Sequence, residues 1–302
     1  MGNGNRESAQ GLLIRPAMRF QRSLAAAFAA CALAAPPVMG APLRIAAQQD
    51  PTQESYFTLD FGGFGGVANA RIARTDFQLE IDAAAGSARF VQYDQDIAPL
   101  LLPGGISTGN IRVEVSAGSS SGTFNPTTGE FATSEVYEIH FDGDLSAYGL
   151  TSPVLLPSAS AGVATLSSAS AGLVSMNWSG SSRLLNPYVP GSWIDFSYVC
   201  SLLASFSPTA ATFIGLDMIP QVLDTPMSVA LRSSLIGLLD SAIEFLNADK
   251  SRTLIRTMTT FVTLVQSQTP ANISPTDANS LILSARYAVS LIYGPPNTTA
   301  QY

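Results

Sequence analysis

Lysine and histidine are nearly missing from this chain: Lys250 and His140 are the only ones in 302 residues, against fourteen arginines. One imidazole cannot build a multi-histidine metal site, and it leaves a single base for any serine triad. Cysteine is scarce too, with Cys31 and Cys200 alone. Charged residues make up 12% of the chain, well below the usual quarter, and the net charge is −7. Without a basic patch to release counterions from phosphates, nucleic-acid binding is not expected. No uninterrupted apolar run reaches the ~20 residues that a membrane-spanning helix needs. What is plentiful is Ser, Thr, Gly and Ala, and 46% of residues are hydrophobic, enough to bury a core. Many extracytoplasmic β-rich proteins have this composition.

Residues 1–40 read as an export signal. Arg19 and Arg22 precede an apolar run from Leu24 to Ala35, followed by Pro36, Pro37, Val38, Met39 and Gly40. A basic region, a short apolar region and small residues at a cleavage site are the three parts of a secretory signal. Translation is expected to start at Met18 and the mature chain at Ala41, which sends the product to the periplasm or outside the cell. Cys31 follows Phe28, Ala29 and Ala30 and offers a second route, lipid anchoring, although Phe stands where a lipoprotein acceptor site usually has Leu. Cleavage after Gly40 removes Cys31 and leaves Cys200 as a lone thiol, so no internal disulfide is expected.

From Tyr56 to about Phe206 the hydrophobic period is two, as half-buried strands require. Phe57, Leu59 and Phe61 alternate with Tyr56, Thr58 and Asp60; Phe77, Leu79 and Ile81 alternate with Gln78, Glu80 and Asp82. Asn125, Pro126, Thr127, Thr128 and Gly129 between Phe124 and Phe131 predict a hairpin turn. Residues 41–206 are therefore expected to form an antiparallel β-sandwich or barrel. It is acidic, with fifteen carboxylates against six arginines between residues 44 and 206. Two near-copies, Ser158 to Val163 and Ser168 to Leu173, are read as equivalent strand starts or as low complexity. Residues 207–224, with Pro208 and Pro220, read as a linker.

The period then changes to 3.6, and residues 225–294 predict an all-α domain of three helices before a tail at 295–302. Thr225 and Pro226 are expected as cap and first helical position, ahead of Leu231, Leu235, Leu238, Leu239, Ala242 and Leu246 on one face. Leu254, Met258, Phe261, Val262 and Val265 mark the second helix. Ser274, Pro275 and Asp277 open the third, which ends at Gly294 before Pro295 and Pro296. The stretch from about Leu235 to Ile292 resembles the FIMAH module, a helical accessory domain at the tails of secreted bacterial proteins. The matching positions are Met258, Phe261, Leu264, Val265 and Gln268, then Ile273, Ser274, Leu281 and Ala285. The resemblance implies an accessory role and carries no catalytic residue with it.

Few residues offer chemistry. His140 sits in a strand on the wet face with Glu138, and no nucleophile elbow is expected to accompany it. A glycosidase needs only two carboxylates, yet no spacing selects Glu130, Glu135 or any other acid as a pair. Asp142 and Asp144, and likewise Asp94 and Asp96, follow strands, where alternating acids can offer oxygens to calcium. Phe61 to Gly66 has the glycine content of a phosphate loop but no following lysine, and is read as a tight strand connection. Trp178, Tyr188 and Trp193 lie close in sequence and are candidates for stacking on a sugar ring.

These features point to an exported protein without catalysis or cofactor, calcium excepted. Its β domain would bind a surface polysaccharide or an envelope protein, with the helices as an accessory module. A carbohydrate-active hydrolase and a purely structural envelope or matrix component are the alternatives.

Overall fold

A computed structural model describes residues 42–83, 85–168 and 171–293; the segment expected as an export signal, with Cys31, and the expected tail from residue 294 lie outside them. The β region begins with β1 (Leu43–Gln49), β2 (Tyr56–Asp60), β3 (Val67–Asp82) and β4 (Ser87–Ile97). A short hairpin, β5 (Leu101–Leu102) and β6 (Ile106–Ser107), precedes β7 (Ile111–Val115), β8 (Ser121–Phe124) and β9 (Glu130–Phe141). Three long strands complete it: β10 (Val154–Ser168), β11 (Ala171–Leu185) and β12 (Trp193–Phe206).

Every pairing is antiparallel, and around the wall β3 pairs with β4, β4 with β7 and β8, these with β9, then β9 with β10, β10 with β11 and β11 with β12. β12 pairs in turn with β1 and β2, both of which pair with β3. The sheet thus closes on itself, and of the two expected arrangements it is the barrel. It has eight strand positions, because β1 and β2 share one and β7 and β8 share another. At this number of strands side chains can fill the interior.

The filling is aromatic. Trp178 is fully buried, with ring centroids of Tyr137, Phe57 and Tyr198 at 4.7, 5.4 and 5.8 Å. Its indole N–H donates to the Tyr93 hydroxyl at 3.0 Å, so the one polar atom of the side chain is satisfied. Outward positions on the last two strands carry Ser175, Asn177, Ser179, Ser197 and Ser201. In the Asn125–Gly129 turn, Asn125 Oδ1 accepts from Thr127 N at 3.0 Å and Gly129 adopts φ 74°. A Cβ on Gly129 would strike the Ala164 carbonyl, so glycine is required twice over. The two near-copies are not equivalent strand starts: Ser158 to Val163 lies inside β10, whereas the second straddles the β10–β11 connection.

Four helices follow. The segment expected as a linker is helical: Ala210–Phe213, a π-helical segment Ile214–Met218 and Ile219–Asp224 run on as α1. Pro220 is tolerated there because the wider π turn puts the backbone ladder out of step just ahead of the residue that has no N–H to give. α2 (Val229–Asn247) starts later than its Thr225-Pro226 signal, because Ser228 is the cap and accepts from Leu231 N at 3.3 Å. α3 (Ser251–Ser267) and α4 (Pro275–Tyr293) follow. At α4 the expected cap holds, with Ser274 Oγ accepting from Asp277 N at 3.1 Å and donating to its carboxylate at 2.7 Å. Leu235, Leu239, Phe261 and Leu281 sit in the helical core. Ala211 and Leu216 of α1 also pack on the barrel core, and Asn247 Nδ2 donates to the Pro42 carbonyl at 3.0 Å. The helices therefore stand at the barrel end where β1 starts and β3 finishes.

Candidate binding site at the loop end of the barrel

At the opposite end four connections cross between strands: residues 61–66, 98–110, 142–153 and 186–192. The second contains the β5–β6 hairpin, which pairs only with itself. Its base is closed by Thr108, whose N–H donates to Leu100 O and whose hydroxyl accepts from Leu100 N, both at 2.9 Å. Leu100 and Leu102 turn inward and are buried, while Leu101 between them is 66% exposed, as strand alternation dictates. Two tyrosines from other connections hold the hairpin by one carbonyl: Tyr148 OH donates to Pro103 O, and Tyr188 OH donates to the same atom at 3.4 Å. Gly104 lets the chain pass under Tyr188; it adopts φ 86°, and a Cβ there would run into the tyrosine hydroxyl.

Below the hairpin lies a cavity of about 80 Å3. Leu59 of β2, Phe61 just beyond it, Ile139, Leu184, Phe196 and the hairpin's Leu102 are among its walls. Thr108 and Ser182 are its polar residues, and the Thr108 hydroxyl is occupied, donating to Gly109 O at 2.8 Å. Around the hairpin the apolar side chains face solvent: Phe64, Tyr188 and Val189 are exposed, with the Phe64 and Tyr188 rings 6.3 Å apart. Trp193, also exposed at the start of β12, lies under the Arg183 guanidinium at 4.7 Å.

The three aromatics expected to act together are therefore split. Tyr188 and Trp193 belong to the loop end, but Trp178 is sealed inside the barrel and touches no surface. Sequence reading passed over Phe64, Leu101 and Val189. The available signal was an apolar triplet, Leu100 to Leu102, placed beside Pro103, Gly104 and Gly105, where a solvated turn should be polar.

The charged residues gather elsewhere, on the outer wall. Arg74 bonds to Asp76, Asp94 and Asp96, and Arg112 bonds to Asp94 at 3.0 Å and to Glu114 at 2.6 Å. Partial burial alone would raise Asp94, but hydrogen bonds from Arg112 and Arg74 outweigh it and hold its carboxyl below the usual range. A shallow groove of about 720 Å3 runs beside this network past His140 and Asp142. His140 Nε2 has no hydrogen-bond partner among the described residues and lies 3.9 Å from Glu114 Oε2. The spacing Gly, any residue, Ser, any residue, Gly does occur, at Gly105 to Gly109 and Gly118 to Gly122. Neither stands on a strand-to-helix turn: Ser107 is in the hairpin with its Oγ accepting from Gly109 N at 3.1 Å, and Ser120 Oγ accepts from Phe90 N at 2.8 Å.

Of the acids considered for calcium, Asp142 accepts from Asn110 Nδ2 at 3.1 Å, and Asp144 has its pKa lowered by the Ser146 side chain and then by the Ser146 N–H, which donates to it at 3.0 Å. No group of three or more potential metal ligands occurs among the described residues. Glu130 is on the outer face and accepts from the Thr128 hydroxyl at 2.9 Å. Glu135 faces into the barrel, where burial pushes its pKa up against the hydrogen bond from Ser160. Cys200 is also interior; burial pushes its thiol up to about 12, and Gln95 is its neighbour at 3.5 Å. No helix among the described residues is long and apolar enough to cross a membrane. No protein-family model matches this chain, and no curated protein matches it either.

Proposed function

We propose that this is an exported, non-catalytic binding protein whose contact surface is the loop end of the barrel. The observation that carries the reading is the convergence of Phe64, Leu101, Tyr188 and Val189, from three separate connections, onto one exposed apolar patch above a dry cavity. Exposed apolar patches of this kind mark binding sites more often than scattered surface leucines do. The ligand is an apolar part of an envelope or cell-surface component. The helices support the far end of the barrel, an accessory role in keeping with their resemblance to the FIMAH module. Arg19, Arg22 and the apolar run to Ala35 support export.

Retention on washed envelope material tests the function. The mature chain should be retained, and a Phe64→Ser, Val189→Ser double variant should lose at least tenfold in retention while melting within a few degrees of the parent. Equal retention of the two proteins would remove the loop end from the interaction. Turnover on a panel of glycans, esters and peptides, abolished by replacing one acid, would show a hydrolase instead.

A further inference from the structure

We infer that the cavity under the β5–β6 hairpin takes the end of an unbranched alkyl chain carried on an uncharged head group, and that the hairpin is the lid that admits it. The inference rests on the loop-end reading and names its ligand class. A buried water needs two to four polar partners, and in this cavity the Thr108 hydroxyl is already engaged, which leaves Ser182. An apolar occupant loses nothing there. At about 80 Å3 the space is roughly half that of a cavity known to hold benzene, so it suits a chain end a few carbons long and excludes a ring.

The lid follows from the hydrogen bonds. The hairpin shares no ladder with the barrel wall, and the bonds that tie its tip to other connections are those from Tyr148 and Tyr188 to Pro103 O. Releasing them frees the hairpin tip without breaking a strand pairing of the barrel, while the base stays tied by the Gly143 N–H, which donates to Thr108 O at 2.8 Å. Outside, Phe64, Leu101 and Val189 continue the apolar path for the carbons nearer the head. Asp60, Asp195 and Arg183 line a groove at this end, and with two carboxylates to one guanidinium, itself stacked on Trp193, an anion such as a fatty carboxylate is disfavoured.

Titration of the mature chain with n-alkanols of three to eight carbons, followed by NMR, tests this. Affinity should rise about fourfold per added carbon through the short members, then flatten once the cavity is full. Hexanol should bind more tightly than hexanoate. Ser182 of β11 and Leu145 of the 142–153 connection line the cavity from different walls; Ser182→Leu and, separately, Leu145→Phe fill it, and each should weaken hexanol at least tenfold with barrel resonances unchanged. Tyr188→Phe should speed hexanol association. Unaltered affinity in both filling variants, or affinity independent of chain length, overturns the inference. Shifts confined to Phe64 and Tyr188 and indifferent to the filling variants would sink the alkyl pocket yet leave the loop end as a binding surface. Envelope retention indifferent to the Phe64→Ser, Val189→Ser change would instead sink that surface.

Discussion

Trp178 carries a large share of the barrel's packing at a single position. Its ring meets Tyr137, Phe57 and Tyr198, and its N–H is spent on Tyr93. Trp178→Ala should cost about 3–5 kcal/mol, read as a lower urea midpoint with little change in slope. That the residue is interior was legible in the sequence, because it shares parity with Val174 and Met176. Nearness in sequence to Tyr188 and Trp193 was misleading, since those two lie beyond the end of the strand that buries Trp178. Asp240 on α2 is the other telling residue. Burial, then the charges of Asp82 and Glu244, push its carboxyl up to about 6. A carboxyl whose folded pKa is raised keeps a proton that the unfolded chain has lost. The resulting penalty is present in full above pH 6 and disappears as pH falls toward 4. Asp240→Asn should therefore stabilise the protein at pH 7.5 by about 1–2 kcal/mol after allowance for solvent screening, and hardly at pH 4. Thermal melts at the two pH values check this; an equal gain at both would show that charge is not the cause.

Two elements departed from their sequence signals for the same physical reason, that a breaker is read locally and satisfied by its neighbours. Pro220 announces the end of a helix, but the π segment Ile214–Met218 absorbs it and α1 continues to Asp224. Thr225 and Pro226 announce a start, yet Ser228 is in position to cap. The short hairpin was invisible because its two-residue strands are too brief for any period to register. Its attachment can be probed. Tyr148→Phe removes the donor to Pro103 O and should speed amide exchange at Gly105 and Thr108 at least fivefold. Amides of β11 and β12 should exchange as before, and unchanged exchange at the hairpin would show that the Tyr148 bond does not hold it down.

Closure of the sheet is a property of the whole molecule and was not legible, because period two is the same in a sandwich and in a barrel. It depends on β12 reaching back to β1 and β2 across about half the chain, as in the Ser205 to Gln48 and Cys200 to Phe57 registers. Among the described residues, closure leaves the barrel wall itself without a free edge strand to template aggregation, and on β11 and β12 it puts the aromatic face inside and the Ser and Asn positions outside. A barrel that faces lipid has the reverse arrangement, with an apolar outer band. It also gives the molecule two unlike ends: one packed on helices through Ala211 and Leu216, the other apolar, exposed and roofed by the hairpin. The binding proposed for this protein is placed at the second end. Hydrogen–deuterium exchange of the chain from Ala41 onward, with and without washed envelope material, tests that proposal most directly. Protection is expected in residues 61–66, 98–110 and 186–193, with the helices unchanged; protection centred on α2–α4 or on the outer wall around Arg112 and His140 would contradict it.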